Sequence, residues 1–325
     1  MVFGRLEIIM KIAMIGSGAA GSVFASYLKL GGAELWLVDR YKAHMDKIAA
    51  DGLTFVSPDG EKLLTGFHTA YSAEDIGIMD IVILMVKATQ TDDIMPTLSG
   101  CIGENTVVVS LQNGLGNEEV LKRYVPAGSI LYGFGTIGTE LPEPGKCVSK
   151  PESGVIMRFG AAEKSPLSDR AGKTLEKCFC DGGCLTRFEE DIRPFVWKKA
   201  ISNSGYNTLS ALLRLKVGPI LDCGSGEELI RRVWAEGCAV AMAVTGVDLS
   251  QEMEEELPRL REGFAKYYPS MAQDVLMHQR QTEVELLNGA IVRCGRELGI
   301  ETPVNETLTL MIKTIQENYD KQFCK

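Results

Sequence analysis

The first part of the chain alternates between unbroken apolar runs and glycine-containing or helical connections. The apolar runs cover residues 12–15, 35–38, 81–86, 107–111 and 130–132. Continuous hydrophobicity, without alternation, is typical of strands that are buried on both faces of a parallel sheet covered by helices. The pattern therefore predicts an α/β domain built on a doubly wound parallel sheet.

Beyond about residue 191 the spacing of apolar residues changes to a helical period. The stretches with this period are 195–213, 227–245, 251–268, 271–298 and 304–319. Pro269 and Pro303 precede two of them, where the start of a helix tolerates proline. Because 325 residues suit about two domains, we expect an α/β domain over 1–191 and an all-α domain over 192–325.

The overall composition excludes several classes of partner. The chain is 45% hydrophobic and 24% charged, which is ordinary for a soluble globular protein. Its formal net charge of −9 argues against nucleic acid and anionic membranes. No apolar run approaches the roughly 20 residues that a membrane span needs. Residues 1–9 lack the features of a signal peptide, so we expect a short extension ahead of the first strand.

The nine cysteines have no spacing typical of a disulfide scaffold, which favours a reducing cytoplasm. Cys178, Cys180 and Cys184 form a C-x-C-x3-C cluster without a second pair or a nearby histidine, so we expect no metal site there. The chain has only three histidines, so it offers few candidate residues for a His-based triad or a zinc centre.

A glycine motif, Gly16-x-Gly18-x-x-Gly21, follows the first predicted strand and opens a helix that runs to Leu30. In this context the motif is typical of a Rossmann-type dinucleotide site. Gly16 allows a tight turn, Gly18 lets the backbone approach a pyrophosphate, and Gly21 permits close helix–strand packing. The helix N-terminus would stabilise the phosphate charge. The predicted cofactor loop is Gly16, Ser17, Gly18, Ala19, Ala20 and Gly21; the alternative is a glycine-rich turn without a ligand.

Polar residues follow three further predicted strands. Asp39 ends the second strand, where a carboxylate normally accepts from the ribose 2′-hydroxyl of NAD, but Arg40 beside it can pair with the 2′-phosphate of NADP. Lys87 ends "IVILMVK" and Asn113 lies in "SLQNGLG". Since the carboxyl edge of such a sheet holds the cofactor, we expect Lys87 to contact it; the alternative is a solvated lysine.

The segment "WKKAISNSGYN" carries a polar stripe on a predicted helix. Lys199, Asn203 and Asn207 recur at i, i+4 and i+8, so they share one helix face. Lys198 points elsewhere and is expected to be solvated. A solvated face is one explanation of the stripe. Because a surface helix normally prefers Glu, Lys or Gln to Asn, the other explanation is a site for a polar small molecule.

Taken together, "KIAMIGSGAAG", "VKATQ", "QNGLG", "WKKAISNSGYNTLSA", "PSMAQD" and "TEVELLNG" resemble the ketopantoate (2-dehydropantoate) reductases and their relatives among the 2-hydroxyacid dehydrogenases. The resemblance extends over nearly the whole chain. It implies an N-terminal Rossmann domain that binds NADPH, over residues 1–191, and a helical substrate-binding and catalytic domain over 192–325.

The resemblance also implies roles for individual residues. Lys199 matches the family's catalytic lysine, and Glu283 matches its acidic partner. The matches to substrate-binding residues are Asn203, Asn207, Ser270 and Asn113, and those to cofactor-binding residues are Lys87, Asn113 and Thr139. Arg40 aligns with an arginine of the family, which favours NADPH over NADH, with some use of NADH expected.

The chain departs from the family pattern in three places. The family commonly has Asn-Pro-Leu-Thr-Ala where this chain has Asn-Thr-Leu-Ser-Ala from Asn207. The spacing from Ser270 to Glu283 is one residue longer than usual, and another substrate-side asparagine has no match near Val217. These departures bear on the identity of the substrate more than on the type of reaction.

The sequence therefore predicts a cytoplasmic NADPH-dependent reductase of a small 2-oxo acid, with 2-dehydropantoate to (R)-pantoate, in pantothenate and coenzyme A biosynthesis, as the first choice. An NAD-dependent D-2-hydroxyacid dehydrogenase of the same fold is the alternative. A non-catalytic dinucleotide-binding sensor is a third, but a sensor does not require Lys199 or Glu283. The expected partner is the small 2-oxo acid, without nucleic acid, membrane or metal, and a homodimer is compatible with this interpretation.

Overall fold

The computed structural model describes residues 10–74, 76–150 and 154–322. The expected N-terminal extension, residues 1–9, lies outside the described residues. The chain forms two compact units, one of residues 1–112 with 117–192 and one of residues 113–116 with 193–325. None of the helices in the described part of the chain is long and apolar enough to cross a membrane.

The first unit contains two sheets. Its strands are β1 (Lys11–Ile15), β2 (Glu34–Val38), β3 (Leu53–Ser57), β4 (Gly60–Leu64), β5 (His68–Ala70), β6 (Ile81–Leu84), β7 (Val107–Ser110), β8 (Ile130–Gly135), β9 (Gly138–Glu143), β10 (Lys146–Lys150), β11 (Met157–Ala161) and β12 (Thr186–Glu189). Its helices are α1 (Ala19–Leu30), α2 (Lys42–Asp51), α3 (Thr91–Ile94), α4 (Asn117–Leu121) and α5 (Pro166–Asp181).

The main sheet has eight strands in the order β12-β11-β8-β7-β6-β1-β2-β5. The six strands from β8 to β5 are parallel, whereas β11 runs antiparallel to β8 and β12 runs parallel to β11. The sheet is thus mixed at one side, which the apolar runs did not indicate. The order reverses at β1, as in a doubly wound fold, where dinucleotides bind at the carboxyl edge.

Alternate residues of the central strands enter opposite apolar cores. In β1, Ile12 and Met14 belong to one cluster of buried side chains, and Ala13 and Ile15 belong to another. β6 and β7 are buried at every position. Both faces of the sheet are therefore covered, which confirms the interpretation of the unbroken apolar runs.

A second sheet, in the order β4-β3-β10-β9, was not expected from the sequence. β3 and β4 form an antiparallel hairpin, β3 and β10 are parallel, and β9 and β10 are antiparallel. β4 exposes four of its five residues. Because so little of it is buried, this sheet leaves no apolar run in the sequence.

The second unit is helical, as predicted. Its helices are α6 (Arg193–Leu213), α7 (Val217–Leu221), α8 (Gly224–Thr245), α9 (Ser250–Gly263), α10 (Ser270–Gln273), α11 (Asn288–Leu298) and α12 (Pro303–Gln316). α6 packs against α8, α10 and α12, and it is buried at every position from Ala200 to Ala211. A helix that is buried all round lies in the core of its unit.

The prediction of one helix over 271–298 is wrong. α10 ends after one turn and continues as a π-helix, Asp274–His278, and α11 begins only at Asn288. Gln279 adopts a left-handed conformation (φ 47°), and the N–H of Arg280 donates to the carbonyl of Asp274 at 3.1 Å. A left-handed residue at this point ends a helix, although apolar spacing continues beyond it.

Candidate active site

The carboxyl ends of neighbouring parallel strands bring the predicted cofactor residues of the first unit to one edge of the sheet. Ile15 is paired with Val38 on one side and with Leu84 on the other. The N–H of Gly16 donates to the carbonyl of Val38 at 2.9 Å. The glycine loop, the Asp39–Arg40 pair and Lys87 therefore leave three adjacent strands at the same edge.

The three glycines of the loop meet different surroundings. Gly16 is left-handed (φ +93°), and a Cβ there would lie 2.6 Å from the backbone nitrogen of Val86. A Cβ at Gly21 would overlap the carbonyl oxygen of Gly16, whereas a Cβ at Gly18 would meet nothing within 4 Å. Gly16 and Gly21 thus serve close packing, and Gly18 leaves its backbone open on the side where a ligand can approach.

The N-terminus of α1 has the chemistry of an anion site. Gly18 is its cap residue, no side chain caps the helix, and no acidic residue lies in its first turn. The first N–H groups of a helix lack partners within the helix and carry partial positive charge. Together with the open backbone at Gly18, they fit the pyrophosphate of a dinucleotide.

A buried hydrogen-bond chain that the sequence did not reveal holds the glycine loop. The hydroxyl of Ser22 donates to the carbonyl of Ser17 at 2.8 Å and lies 2.9 Å from Nε2 of His44. The N–H of Gly145 donates to Nδ1 of His44 at 2.9 Å. Because Nδ1 accepts, the neutral ring carries its proton on Nε2 and donates it to Ser22. Burial lowers the pKa of His44, so the neutral form is favoured.

Asp39 and Arg40, which would select between NAD and NADP, differ in their hydrogen bonding. Oδ1 of Asp39 accepts from the N–H of Tyr41 at 2.8 Å, so this carboxylate is engaged with its own turn. Arg40 is exposed, and its guanidinium has no hydrogen bond or ion pair within residues 10–74, 76–150 and 154–322. Arg40 can therefore bind a phosphate without giving up a protein partner.

Lys87 is half-buried at the end of the segment that follows β6. Gln112 fixes this segment: its Nε2 donates to the carbonyl of Val86 at 2.9 Å and to Oγ1 of Thr91 at 3.1 Å. Gln112 is buried and was missed by sequence reasoning, although it stands beside Asn113 in the "QNGLG" motif. Thr139 is half-buried on β9 of the smaller sheet, four residues after the carboxyl end of β8 at Gly135.

Asn113 belongs to the second unit, together with the rest of the tetrapeptide 113–116. Gly114 is left-handed (φ +100°), and a Cβ there would lie 2.6 Å from Cβ of Leu286. The N–H of Leu115 donates to the carbonyl of Leu286 at 2.8 Å. The tetrapeptide thus packs on the turn that follows Glu283, and it brings half-buried Asn113 into the same unit as Glu283.

The polar stripe of α6 is not a solvated face. Asn203 and Asn207 are each only 4% exposed, and Lys199 is half-buried. Lys198, which was expected to be solvated, is also half-buried. Two buried carboxamides on one helix face need hydrogen-bond partners, because burial of an unpaired polar group is costly.

The two asparagines differ in their partners. The hydroxyl of Tyr206 donates to Oδ1 of Asn203 at 2.7 Å. Oδ1 of Asn207 is buried and has no hydrogen-bond partner among the described residues. A buried acceptor without a partner is rare in folded proteins. A ligand that donates a hydrogen bond to Asn207 would satisfy it.

Asn288, in the "TEVELLNG" motif, holds α6 from the core of the same unit. Its Oδ1 accepts from the hydroxyl of Thr208 at 2.7 Å. Its Nδ2 lies 3.1 Å from the carbonyl of Ser204 and 3.0 Å from Oδ1 of Asn305. Asn288 is fully buried and fully bonded, so its role is structural.

The segment between Ser270 and Glu283 is irregular. It contains the π-helix Asp274–His278, a kind of helix that is rare and frequently found at functional sites. Asp274 is buried and pairs with Nε of Arg280 at 2.6 Å, which closes the segment. Ser270 is exposed at the start of α10, and Glu283 is half-buried. Among the described residues, no group of His, Cys, Asp and Glu could hold a metal ion.

Known proteins are similar to this chain over most of its length. The family model for ketopantoate reductase PanE/ApbA matches residues 12–162, and the model for its C-terminal part matches residues 191–316. The 2-dehydropantoate 2-reductase of Halobacterium salinarum is 31% identical over 95% of this chain and 100% of its own length.

Solved structures are similar over nearly the whole chain. A ternary structure of D-mandelate dehydrogenase with NADH and anilino(oxo)acetate has a TM-score of 0.85 at 26% identity, and it covers 96% of this chain and all of its own. The 2-dehydropantoate 2-reductase from Geobacter metallireducens has the same TM-score and identity, with 94% and 99% coverage. With its family models over both units and a relative above 30% identity, this chain belongs to the ketopantoate reductase family.

Proposed function

We propose that the protein is an NADPH-dependent reductase of a small 2-oxo acid, with 2-dehydropantoate as substrate and (R)-pantoate as product, in pantothenate and coenzyme A biosynthesis. The observation that carries this proposal is the buried polar face of α6. Lys199 lies one turn before Asn203 and two turns before Asn207, whose oxygen has no partner among the described residues. Membership of the ketopantoate reductase family supports the same reaction.

The reaction adds a hydride and a proton to a ketone. When bound, the nicotinamide supplies the hydride to the carbonyl carbon. Negative charge then develops on the carbonyl oxygen, and the ammonium of Lys199 would stabilise this charge and donate the proton that completes the hydroxyl. Glu283 would hold the lysine or a substrate hydroxyl, and Asn203 and Asn207 would orient the substrate.

The cofactor site fits a dinucleotide, and the residues that would select between NAD and NADP favour NADPH. The open backbone at Gly18 and the uncapped N-terminus of α1 suit the pyrophosphate. Arg40 is exposed beside the place where a 2′-phosphate would lie, and the carboxylate of Asp39 is engaged with Tyr41. Lys87 adds a second cation at the same edge of the sheet. Two cations near a dianionic phosphate outweigh one carboxylate that is already hydrogen-bonded.

An NAD-dependent D-2-hydroxyacid dehydrogenase is the second candidate. Two structures of D-mandelate dehydrogenase with NADH resemble this chain, with TM-scores of 0.85 and 0.81. Asp39 stands where a carboxylate would accept from the ribose 2′-hydroxyl of NAD. We also propose a cytoplasmic location, supported by the absence of a disulfide-scaffold spacing among the cysteines, and we treat a homodimer as the assembly to test first by sedimentation.

A panel of 2-oxo acids tests the function directly. Purified protein is assayed with 2-dehydropantoate, pyruvate and phenylglyoxylate, each with NADPH and with NADH, at the nicotinamide absorbance, and Lys199→Ala is the matched inactive control. We expect the highest kcat/KM for 2-dehydropantoate with NADPH. A preference for phenylglyoxylate with NADH would replace the proposal by the dehydrogenase, and dinucleotide binding without any turnover would replace it by the sensor.

A further inference from the structure

Tyr206 lies on α6 between the two asparagines of the polar stripe. It is 5% exposed, and its hydroxyl donates to Oδ1 of Asn203 at 2.7 Å. Long side chains on a helix lean toward its N-terminus, so a tyrosine naturally reaches the residue one turn before it. The hydrogen bond is therefore a direct result of the i, i+3 spacing of Asn203 and Tyr206.

Aromatic contacts restrict the ring of Tyr206. Its centroid lies 6.4 Å from that of Phe264, at an interplanar angle of 36°. Phe264 in turn packs edge-to-face on Tyr267, with centroids 6.1 Å apart. A buried ring between such neighbours has few alternative rotamers. The hydroxyl of Tyr206 is consequently held in place toward Asn203.

The hydrogen bond decides which end of the Asn203 carboxamide is available. A carboxamide has one oxygen that accepts and one NH2 group that donates. Tyr206 engages the oxygen, and within the described residues Nδ2 of Asn203 makes no hydrogen bond. Without the tyrosine hydroxyl, the two ends could exchange by rotation about χ2. With it, Asn203 offers donors to a ligand.

The stripe then has a defined order of hydrogen-bonding groups. Lys199 and Asn203 offer donors, and Asn207, one turn further, offers an acceptor that has no partner among the described residues. A keto or carboxylate oxygen only accepts, so it is complementary to the first two positions. A ligand hydroxyl can donate, so it is complementary to the third.

We propose that Tyr206 is a positioning residue, which acts through Asn203 by holding its NH2 group toward the oxygens of the 2-oxo acid. This role rests on the proposed function, because it concerns the recognition of that substrate. Tyr206 itself touches neither the reacting atoms nor the cofactor in this assignment. Its removal should therefore weaken the use of substrate while leaving the affinity for NADPH unchanged.

The test is a double-mutant cycle in the full-length protein, with 2-dehydropantoate and NADPH. Tyr206→Phe removes only the hydroxyl, and we expect kcat/KM to fall about 5- to 10-fold, the scale of one neutral hydrogen bond, mainly through a higher KM. In the Asn203→Ala background, Tyr206→Phe should cause no further loss. Tyr267→Phe is the matched control: it removes a hydroxyl from the same aromatic cluster, and kcat/KM should stay within about 2-fold of the parent.

Two further measurements separate positioning from a general effect on folding. The dissociation constant for NADPH of Tyr206→Phe should match that of Tyr267→Phe, and its melting temperature should fall only by the few degrees that the loss of one buried hydrogen bond costs. If Tyr206→Phe reduced 2-dehydropantoate as well as the parent, or lost the same factor with and without Asn203, the positioning role would be wrong while the proposed function stood. If the parent protein reduced no 2-oxo acid, the proposed function itself would be wrong, and this role with it.

Discussion

Replacing Asn207 by alanine should raise the free energy of unfolding and lower kcat/KM for the substrate. The buried Oδ1 of Asn207 has no partner among the described residues, and an unsatisfied buried polar group costs about 1–3 kcal/mol. Alanine also has the higher helix propensity, by about 0.5 kcal/mol. Loss of the amide's packing offsets part of this gain. We expect the free energy of unfolding to rise by about 1–2 kcal/mol for Asn207→Ala.

Asn288→Ala is the matched control, because it removes the same atoms from a buried site in the same unit. Asn288 makes hydrogen bonds with Thr208, Ser204 and Asn305, and its loss leaves all three groups short of a partner. At about 1 kcal/mol each, we expect a destabilisation of about 3 kcal/mol. The two variants should therefore differ by about 4–5 kcal/mol, although the chemical change is identical.

The assay is equilibrium unfolding in urea without substrate, followed by helical circular dichroism, with kcat/KM measured in parallel. For Asn207→Ala we expect kcat/KM for the 2-oxo acid to fall about 10- to 100-fold, since a hydrogen bond to the substrate is lost. If Asn207→Ala lowered the free energy of unfolding by more than about 1 kcal/mol, the oxygen of Asn207 would have a partner in the free protein. The ligand-binding interpretation of the stripe would then lose its main support.

Three further predictions concern the cation, the cofactor and pH. Lys199→Ala should lower kcat about 10²–10⁴-fold, and equilibrium titration should show a nearly unchanged affinity for NADPH. Lys198→Ala, one residue along the helix, should leave kcat nearly unchanged. Equal losses of kcat in the two variants would refute the assignment of Lys199 as the catalytic lysine. Arg40→Ala should weaken NADPH binding by about 1.5–3 kcal/mol and hardly affect NADH, and an unchanged ratio of the two dissociation constants would mean that Asp39 governs the pocket. Burial lowers the pKa of His44, although the charge of Asp39 acts in the opposite direction. As pH falls, His44 is therefore protonated in the unfolded chain at a higher pH than in the folded chain. Stability is then fully present above about pH 6.5 and should decline below it, toward the lowered pKa. Melting temperatures between about pH 5 and 8 should show this decline in the parent but a smaller one in His44→Gln, which cannot titrate; parallel curves would assign the decline to other groups.

Local pattern was sufficient to predict the glycine loop and five adjacent strands of the main sheet, namely β8, β7, β6, β1 and β2. The strands β1, β6 and β7 are buried on both faces, so almost every residue in them is apolar and each strand is visible as an unbroken run. Gly16 is left-handed and Gly21 packs on the carbonyl of Gly16, so the spacing of the motif is set locally, although Gly16 also packs on the distant backbone of Val86. The stripe of Lys199, Asn203 and Asn207 follows from helical period alone.

Other elements depend on distant contacts and left weaker signals. β4 is mostly exposed and carries no apolar run, so the smaller sheet was missed. Apolar spacing continues through Gln279, so the end of the π-helix was missed as well. Gln112 and His44 form hydrogen bonds to residues far along the chain, and a glutamine or a histidine in the sequence does not by itself indicate such bonds.

The fold class, the glycine loop and the face of α6 on which the polar residues lie could be predicted from the sequence, because each depends mainly on neighbours within a few residues. Only the tertiary structure distinguished Asn288 from Asn207. The hydrogen-bond partners of Asn288 come from segments 17 to 84 residues away, whereas the oxygen of Asn207 faces none among the described residues. Both are buried asparagines, and they differ in whether the folded chain supplies a partner for the carboxamide oxygen, which residue type and helical spacing alone do not reveal.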